Sequence, residues 1–570
     1  MLNKHRRIKN WDNEIEPDEI FLDSENIPAF NRQQFEGRLE KPITKRTIFF
    51  LAAVFLIIIF AFTWRVFDFQ VVHGAEYTEL SQNISLDHQI VFADRGIIYD
   101  RNHIPLAYNE LNERNQDFSK RVYISKDGFG HLLGYIGYPL KDQVGFYWQK
   151  EFKGIDGIEK EYNVLLNGQN GVKVIEVNVR GEIQSENVLT PPRSGESLTL
   201  AVDSRIQAEL FRLIKKWSDT ANFKGGSGVI MDVKTGEILA ITNFPEYNSS
   251  IISEGKEGGI IEGYLSDSRK PFLNRALSGL YTPGSIVKPF IALGALKEGV
   301  IDQNKKILST GSISIPNPYF PELKSVFRDW KAHGWVDMRR ALAVSSDVYF
   351  YEIGGGFEDQ RGLGISNIEK YVRMFGVGEK TGIDLPGEVS GIIPTPEWKK
   401  KVFPNDPWRI GDTYNTSIGQ YGFQITPVEA ARSAAAVGNG GKILQPRLVR
   451  DDNLSLENTR DLRSAVVRLV DIEKEFFDVV KEGMRMTATV GTAPRLNLPF
   501  VKVAAKTGTA QVGAKNQFMN SWVIGFFPYD SPRYAFAVIL DGAPKTNSIG
   551  ASNIMADLLE WMNLNTPEYF

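Results

Sequence analysis

The strongest constraint on this 570-residue chain is one uninterrupted apolar run, Thr47-Ile-Phe-Phe-Leu-Ala-Ala-Val-Phe-Leu-Ile-Ile-Ile-Phe-Ala-Phe-Thr63, closed by Trp64-Arg65. A helix of about 20 apolar residues spans a hydrocarbon core. The run has no polar face and carries charge at both ends, which argues against a buried core helix. It is long for the apolar stretch of a cleavable signal, begins late, and is not followed by a small-residue cleavage site. Residues 47–66 therefore read as a single-pass anchor in a cell membrane. Arg38, Lys41, Lys45 and Arg46 precede the span, whereas no Lys or Arg follows Arg65 until Arg95. That asymmetry predicts a cytoplasmic N-terminus, with the bulk of the chain periplasmic or extracellular.

The anchor divides the rest. Residues 1–46 crowd acidic side chains between Asp12 and Glu25, show no apolar period, and read as a disordered tail. Residues 67–195 alternate short strand-like runs with turn clusters, as in Gln89-Ile-Val-Phe and Gly96-Ile-Ile-Tyr-Asp, and read as a β-rich, membrane-proximal pedestal with little chemistry. Pro191-Pro-Arg-Ser-Gly195 marks a boundary. In residues 196–570, Leu198–Val202 reads as a strand, and Asp203 caps a helix from Ser204 to about Lys216. A hairpin follows, turning at Lys234-Thr-Gly. A helix-rich middle spans about 285–440, strands return near 501, 522 and 534, and a last helix covers about 550–563. This order implies a mixed α/β (α+β) domain, an antiparallel sheet with a helical insertion.

Composition removes several function classes. A net charge of −3 gives no basic face for nucleic acid. The absence of Cys rules out disulfides, thiolate metal sites and Cys nucleophiles. The six His are scattered without metal-ligand spacing, so neither metal nor cofactor is expected.

Chemistry concentrates in three stretches. In Tyr281-Thr-Pro-Gly-Ser-Ile-Val-Lys-Pro-Phe290 a helix opening near Ser285 puts Ser285 and Lys288 on one face. A Ser hydroxyl needs a base within reach to act as a nucleophile, and a neutral Lys can serve. Ser-x-x-Lys also arises by chance, with Ser as a helix cap and Lys solvated, so the other stretches decide its meaning. Ser345-Ser346-Asp347 lies in the helical region. Lys506-Thr507-Gly508-Thr509 continues a strand, where Gly508 would let an extended peptide approach closely. A second Lys-Thr-Gly at 234–236 joins two strands and reads as a turn.

In this order the three stretches are the motif set of penicillin-binding proteins and class A β-lactamases. The chain resembles that family over about residues 65–565, with Arg95-Gly-Ile-Ile-Tyr-Asp-Arg-Asn similar to its juxtamembrane signature. Gly228-Val-Ile-Met-Asp, Asn274-Arg-Ala and Gly382-Ile-Asp-Leu-Pro-Gly-Glu are similar to its transpeptidase landmarks. It most resembles the membrane-anchored class B enzymes, and Gly411-Asp-Thr-Tyr-Asn-Thr-Ser-Ile-Gly-Gln420 resembles the elongation type more than the division type. The resemblance implies a penicillin-binding/serine β-lactamase-like fold and a peptidoglycan D,D-transpeptidase that β-lactams inhibit. It implies that Ser285 attacks the stem peptide, a neutral Lys288 takes its proton, and Ser345 relays it. Lys506, Thr507, Gly508 and Thr509, with Asp347, would bind substrate, and the backbone N–H groups of Ser285 and Thr509 would form the oxyanion hole. It also implies a SEDS-type membrane glycosyltransferase as partner.

Two departures stand out. Asp347 occupies a position where much of the family has Asn, and a carboxylate beside Lys288 would oppose a neutral amine. The segment from Arg95 to Gly154 is shorter than the elongation-type pattern, which bears on partner contacts. The pedestal is too short for a glycosyltransferase domain. A D,D-carboxypeptidase would share every catalytic residue, and a β-lactamase fits poorly with an anchor and long spacer. A scaffold usually loses a motif, whereas all three are intact here, and a β-lactam sensor would need a signalling module that residues 1–46 do not show.

Overall fold

The structure is a computed structural model that describes residues 45–570 apart from 79–85, 114, 178–182, 318–319, 321, 451–465, 514 and 546–549. The expectation for the tail at 1–46 lies outside the described residues, save Lys45 and Arg46. The chain forms two compact units, one comprising residues up to 87 together with 175–185, the other 88–174 and 186–570.

In the first unit, helix α1 (Lys45–Phe67) contains the apolar run and has no buried residue. With the following turn it extends to Val72, the one described helix long and apolar enough to cross a membrane.

The second unit begins with a small sheet built of β1 (Ile98–Tyr99), β2 (Pro105–Glu110), β3 (Lys120–Tyr123) and β4 (Leu198–Thr199). Strand β4 runs parallel to β1, so the Leu198 run expected to open the next domain completes the pedestal's sheet. The pedestal is less purely β than its alternation suggests, since short helices cover Gly130–Leu133, Gly157–Glu161 and Asn163–Asn167. Its centre is an ion triad: Glu159 accepts from Arg95 Nε at 2.5 Å and from Arg121 Nε at 2.7 Å, all three buried. Burial alone would raise the Glu159 carboxyl, but the two guanidiniums outweigh it and hold the group below the usual carboxylate range.

Helix α2 (Ser204–Thr220) starts where expected, the Asp203 carboxylate accepting from Arg205 N at 2.9 Å. Strands β5 (Gly225–Asp232) and β6 (Ile238–Phe244) form the expected hairpin, and Asp232 ties down its Lys234-Thr-Gly turn through the N–H groups of Lys234 and Thr235. The helical insertion contributes α3 (Lys288–Lys297), α4 (Met338–Val344), α5 (Asp347–Gly355), α6 (Pro427–Gly438) and α7 (Lys474–Thr489). Two small hairpins interrupt it, Ser312–Pro316 with Lys324–Arg328 and Ile307–Ser309 with Gly334–Val336. Strands β7 (Ala504–Val512), β8 (Phe518–Phe527) and β9 (Tyr534–Pro544) then complete a five-stranded antiparallel sheet in the order β6-β5-β9-β8-β7. The last helix, α8, is Ser552–Asn565.

Side chains alternate across this sheet and divide the core in two. Trp522, Ile524, Ala537 and Ile539 join a core with α3 and α6, while Val523, Phe536, Val538 and Leu540 pack with α2 and α8. Strand β7 is left at one edge, with its first motif residue pinned between sheet and insertion.

Candidate active site

Ser285 does not open an α-helix. It lies in a 3₁₀ turn, Gly284–Val287, that leads into α3 with Lys288 as the first α-helical residue. The tighter turn eclipses residues three apart, so Ser285 and Lys288 still share a face. The backbone of Tyr281 pairs with that of Ile425, and Trp522 Nε1 donates to the Thr282 carbonyl at 3.0 Å, so the turn is anchored on both sides. Ser285 is half-buried and lines an open cleft of about 910 Å³, together with Ser345, Asp347, Thr507, Gly508 and Thr509. Trp330, Asn415, Gln420, Tyr421 and Thr492 complete much of the wall.

Ser345 sits in the bend between α4 and α5 with φ of 57°, a left-handed conformation uncommon outside Gly and Asn. Its hydroxyl accepts from Lys506 Nζ at 2.8 Å and lies 3.4 Å from Lys288 Nζ. Lys288 Nζ also donates to the Ser345 carbonyl at 2.9 Å and to Asp347 Oδ1 at 2.6 Å. Lys288, expected to be neutral, thus meets a carboxylate, because Asp347, first residue of α5, turns its side chain onto the amine. Asp347 itself is pushed above the usual carboxylate range, by burial first and against the pull of Lys288. Lys506 is wholly buried. Burial, reinforced by the charge on Lys288, pushes its ammonium well below the usual lysine value.

Gly508 faces a neighbour other than the docked peptide expected from its place in the strand. A Cβ there would lie 2.6 Å from the Pro283 carbonyl oxygen, so the close approach that Gly permits is made by the chain's own serine turn and not by a docked peptide. A Cβ on Gly284 would likewise meet the Thr509 carbonyl oxygen at 2.8 Å. Strand β7 and the serine turn are therefore in backbone contact. This brings Ser285, at the start of its turn where N–H groups lack intrahelical partners, beside Thr509. Thr509 is exposed to the cleft and Thr507 is half-buried, its hydroxyl bonded to that of Thr492 at 2.5 Å. The site can therefore offer a nucleophile, a hydroxyl bridging two amines, and backbone and hydroxyl donors for an anion.

Sequence reasoning missed Thr492 and Asp329. Neither stands near a motif in sequence, and each reaches the site only through the tertiary fold.

The geometry agrees with comparison to known proteins. Residues 226–560 match the penicillin binding protein transpeptidase domain, and residues 114–200 match the penicillin-binding protein dimerisation domain. The chain belongs to the penicillin-binding protein transpeptidases. It is 31% identical over 449 residues to the peptidoglycan D,D-transpeptidase MrdA of Acinetobacter baumannii, covering 74% of this chain and 62% of that relative. To MrdA of Escherichia coli it is 30% identical over 476 residues, covering 78% of this chain and 72% of the relative. The solved penicillin-binding protein 2 of Helicobacter pylori, in complex with MreC, superposes with a TM-score of 0.67 at 26% identity, over 85% of this chain and 99% of that one.

Proposed function

We propose that this chain is a peptidoglycan D,D-transpeptidase of the elongation type, held by α1 with its N-terminus cytoplasmic, with a pedestal that takes in Leu198–Thr199 and a catalytic domain after it. The observation that carries the reading is the convergence of three distant motifs on one hydroxyl. Ser345 Oγ lies between Lys506 and Lys288 in the cleft that Ser285 lines. Identity of 30% or more to two D,D-transpeptidases supports it.

In this reading Ser285 Oγ bonds to the carbonyl carbon of the penultimate D-Ala, and the bond to the terminal D-Ala breaks. The Ser285 proton passes through Ser345 and leaves on the departing amine. Lys506 is the amine that holds it in transit, and Lys288, paired with Asp347, keeps Ser345 oriented. The backbone N–H groups of Ser285 and Thr509 stabilise the oxyanion, a donor of this kind contributing about 3 kcal/mol. Thr507 and Thr509 receive the substrate carboxylate. An amine from a neighbouring stem peptide then attacks the ester, forms the crosslink and returns the proton to Ser285. A β-lactam acylates Ser285 and remains there.

The complex of the Helicobacter relative with MreC supports a partner of that kind. Crosslinking consumes nascent glycan strands, which a SEDS-type glycosyltransferase in the same membrane would supply. Labelling with a fluorescent penicillin tests the core of the reading. Wild type should label and Ser285→Ala should not; an unlabelled wild type refutes it.

A further inference from the structure

The Ser345 bend is held by a residue from outside every motif. Asp329 follows the strand Lys324–Arg328, and its side chain is fully buried. One carboxylate oxygen, Oδ2, accepts from Asp347 N at 2.8 Å, Val348 N at 3.1 Å, Ser346 Oγ at 2.9 Å and Ser309 Oγ at 3.3 Å. The other, Oδ1, accepts from Trp330 N at 2.8 Å and lies 3.5 Å from His333 Nε2. A carboxylate brought in from a separate loop therefore caps the first turn of α5, where unpaired N–H groups and the helix dipole favour an anion.

That cap matters because of what it holds. Ser345 is left-handed although it is not Gly, and Ser346 and Asp347 follow it directly into α5. Gly would relieve the backbone at 345 but would remove the hydroxyl that Lys506 and Lys288 share. The strain persists only if the surroundings over-determine the bend. On its N-terminal side the bend is held by Ser346 N donating to the Ala341 carbonyl at 3.0 Å. On its C-terminal side the bonds to Asp329 supply the restraint, fixing both the Ser345 hydroxyl and the carboxylate of Asp347 that meets Lys288.

We propose that Asp329 is a positioning residue for acyl transfer, a buried anionic cap that locks the Ser345–Asp347 bend in the one conformation that aims a hydroxyl at both lysines. The inference rests on the transpeptidase reading above. Asp329 touches neither substrate nor a reacting atom, so its loss should act on the rate of bond formation and leave the binding surface of the cleft in place. Misplacing a reacting group by about 1 Å costs about a hundredfold in rate.

The test uses the full-length chain in detergent and a fluorescent penicillin, with binding affinity and acylation rate constant separated by varying inhibitor concentration. The folded fraction is measured in parallel by thermal unfolding. Asp329→Ala should lower the acylation rate constant of the folded protein about a hundredfold and leave pre-acylation affinity within about threefold. Asp329→Asn keeps one acceptor oxygen for the four donors that Oδ2 serves, and should recover to within about tenfold of wild type. Should Asp329→Ala not fold, Ser346→Ala removes one of the four donors and also the hydroxyl that caps Tyr349 N, so it should lower the unfolding midpoint modestly and slow acylation of the folded protein severalfold. An acylation rate constant at the wild-type value in folded Asp329→Ala, or in folded Asp329→Asn and Ser346→Ala together, overturns the proposal. So does a loss of labelling accounted for wholly by a smaller folded fraction, with the rate constant of the folded protein unchanged, the mark of a purely structural residue. Failure of wild type to label would instead remove the transpeptidase reading, so the two failures are distinguishable.

Discussion

Substituting Asn for Asp347 probes the electrostatics at the centre of the site. Asp347 accepts from Lys288 at 2.6 Å, and its charge also raises the buried Lys506, opposing the burial and the Lys288 charge that push Lys506 down. Asn keeps an oxygen for Lys288 and removes the charge. Lys506 then loses the influence that favoured its protonated form, so its free base persists to lower pH. A direct opposite charge shifts a pKa by about 1–3 units. Asp347 bonds Lys288 and reaches Lys506 through its charge alone, so its removal lowers Lys506 further. The acidic limb of the acylation rate against pH should move down, with the plateau within about tenfold of wild type. Stopped-flow acylation by a chromogenic or fluorescent penicillin across pH reads both. A limb that stays in place or moves up refutes the assignment of Lys506 as the titrating base. Loss of more than about a hundredfold at every pH would give Asp347 a direct part in binding substrate.

Two further perturbations test the frame around the site. Gly508→Ala should abolish or nearly abolish penicillin labelling while costing about 1–3 kcal/mol of stability, because the new methyl meets the Pro283 carbonyl and pushes the serine turn from β7; labelling assayed beside thermal unfolding separates the two effects. Glu159→Gln should destabilise the chain by about 3–5 kcal/mol, since it leaves Arg95 and Arg121 buried without their anion. Because the folded carboxyl of Glu159 is depressed, its contribution is complete above the usual Glu value of about 4.3 and fades as pH falls through the folded value, so wild type and variant should converge in acid unfolding.

Much of the frame is legible in the sequence where the signal is local. The Asp203 cap, the 225–244 hairpin and the Lys506 strand follow from residues within a few positions of one another, and the structure has them. Motif spacing identifies Ser285, Ser345 and Lys506, and the fold brings them together. What escapes the sequence depends on contacts between distant segments. Asp329 reaches Asp347 from 18 residues away, Glu159 reaches Arg95 from 64, and Leu198 crosses back to pair with Ile98. Gly508 shows the same limit in reverse: its type announces a close approach, and only the fold names Pro283 as the neighbour. The charge arrangement is intermediate. The conflict between Asp347 and a neutral Lys288 is visible in the motif, whereas the contact of a second, buried amine, Lys506, with Ser345 is visible only in the fold.

The backbone contact between the serine turn and β7 also bears on how such a protein can change under drug selection. At Gly284 and Gly508 the two segments meet with no side chain between them, and neither position has room for a larger residue. Heritable variation that weakens a β-lactam without losing the crosslinking reaction must therefore enter elsewhere. The cleft offers Trp330, Gln420, Tyr421 and Gln511, which line its wall and can change size or polarity without touching that seam. Inhibitors that draw their affinity from the seam and the lysines should hold against adapting populations longer than those that lean on the wall.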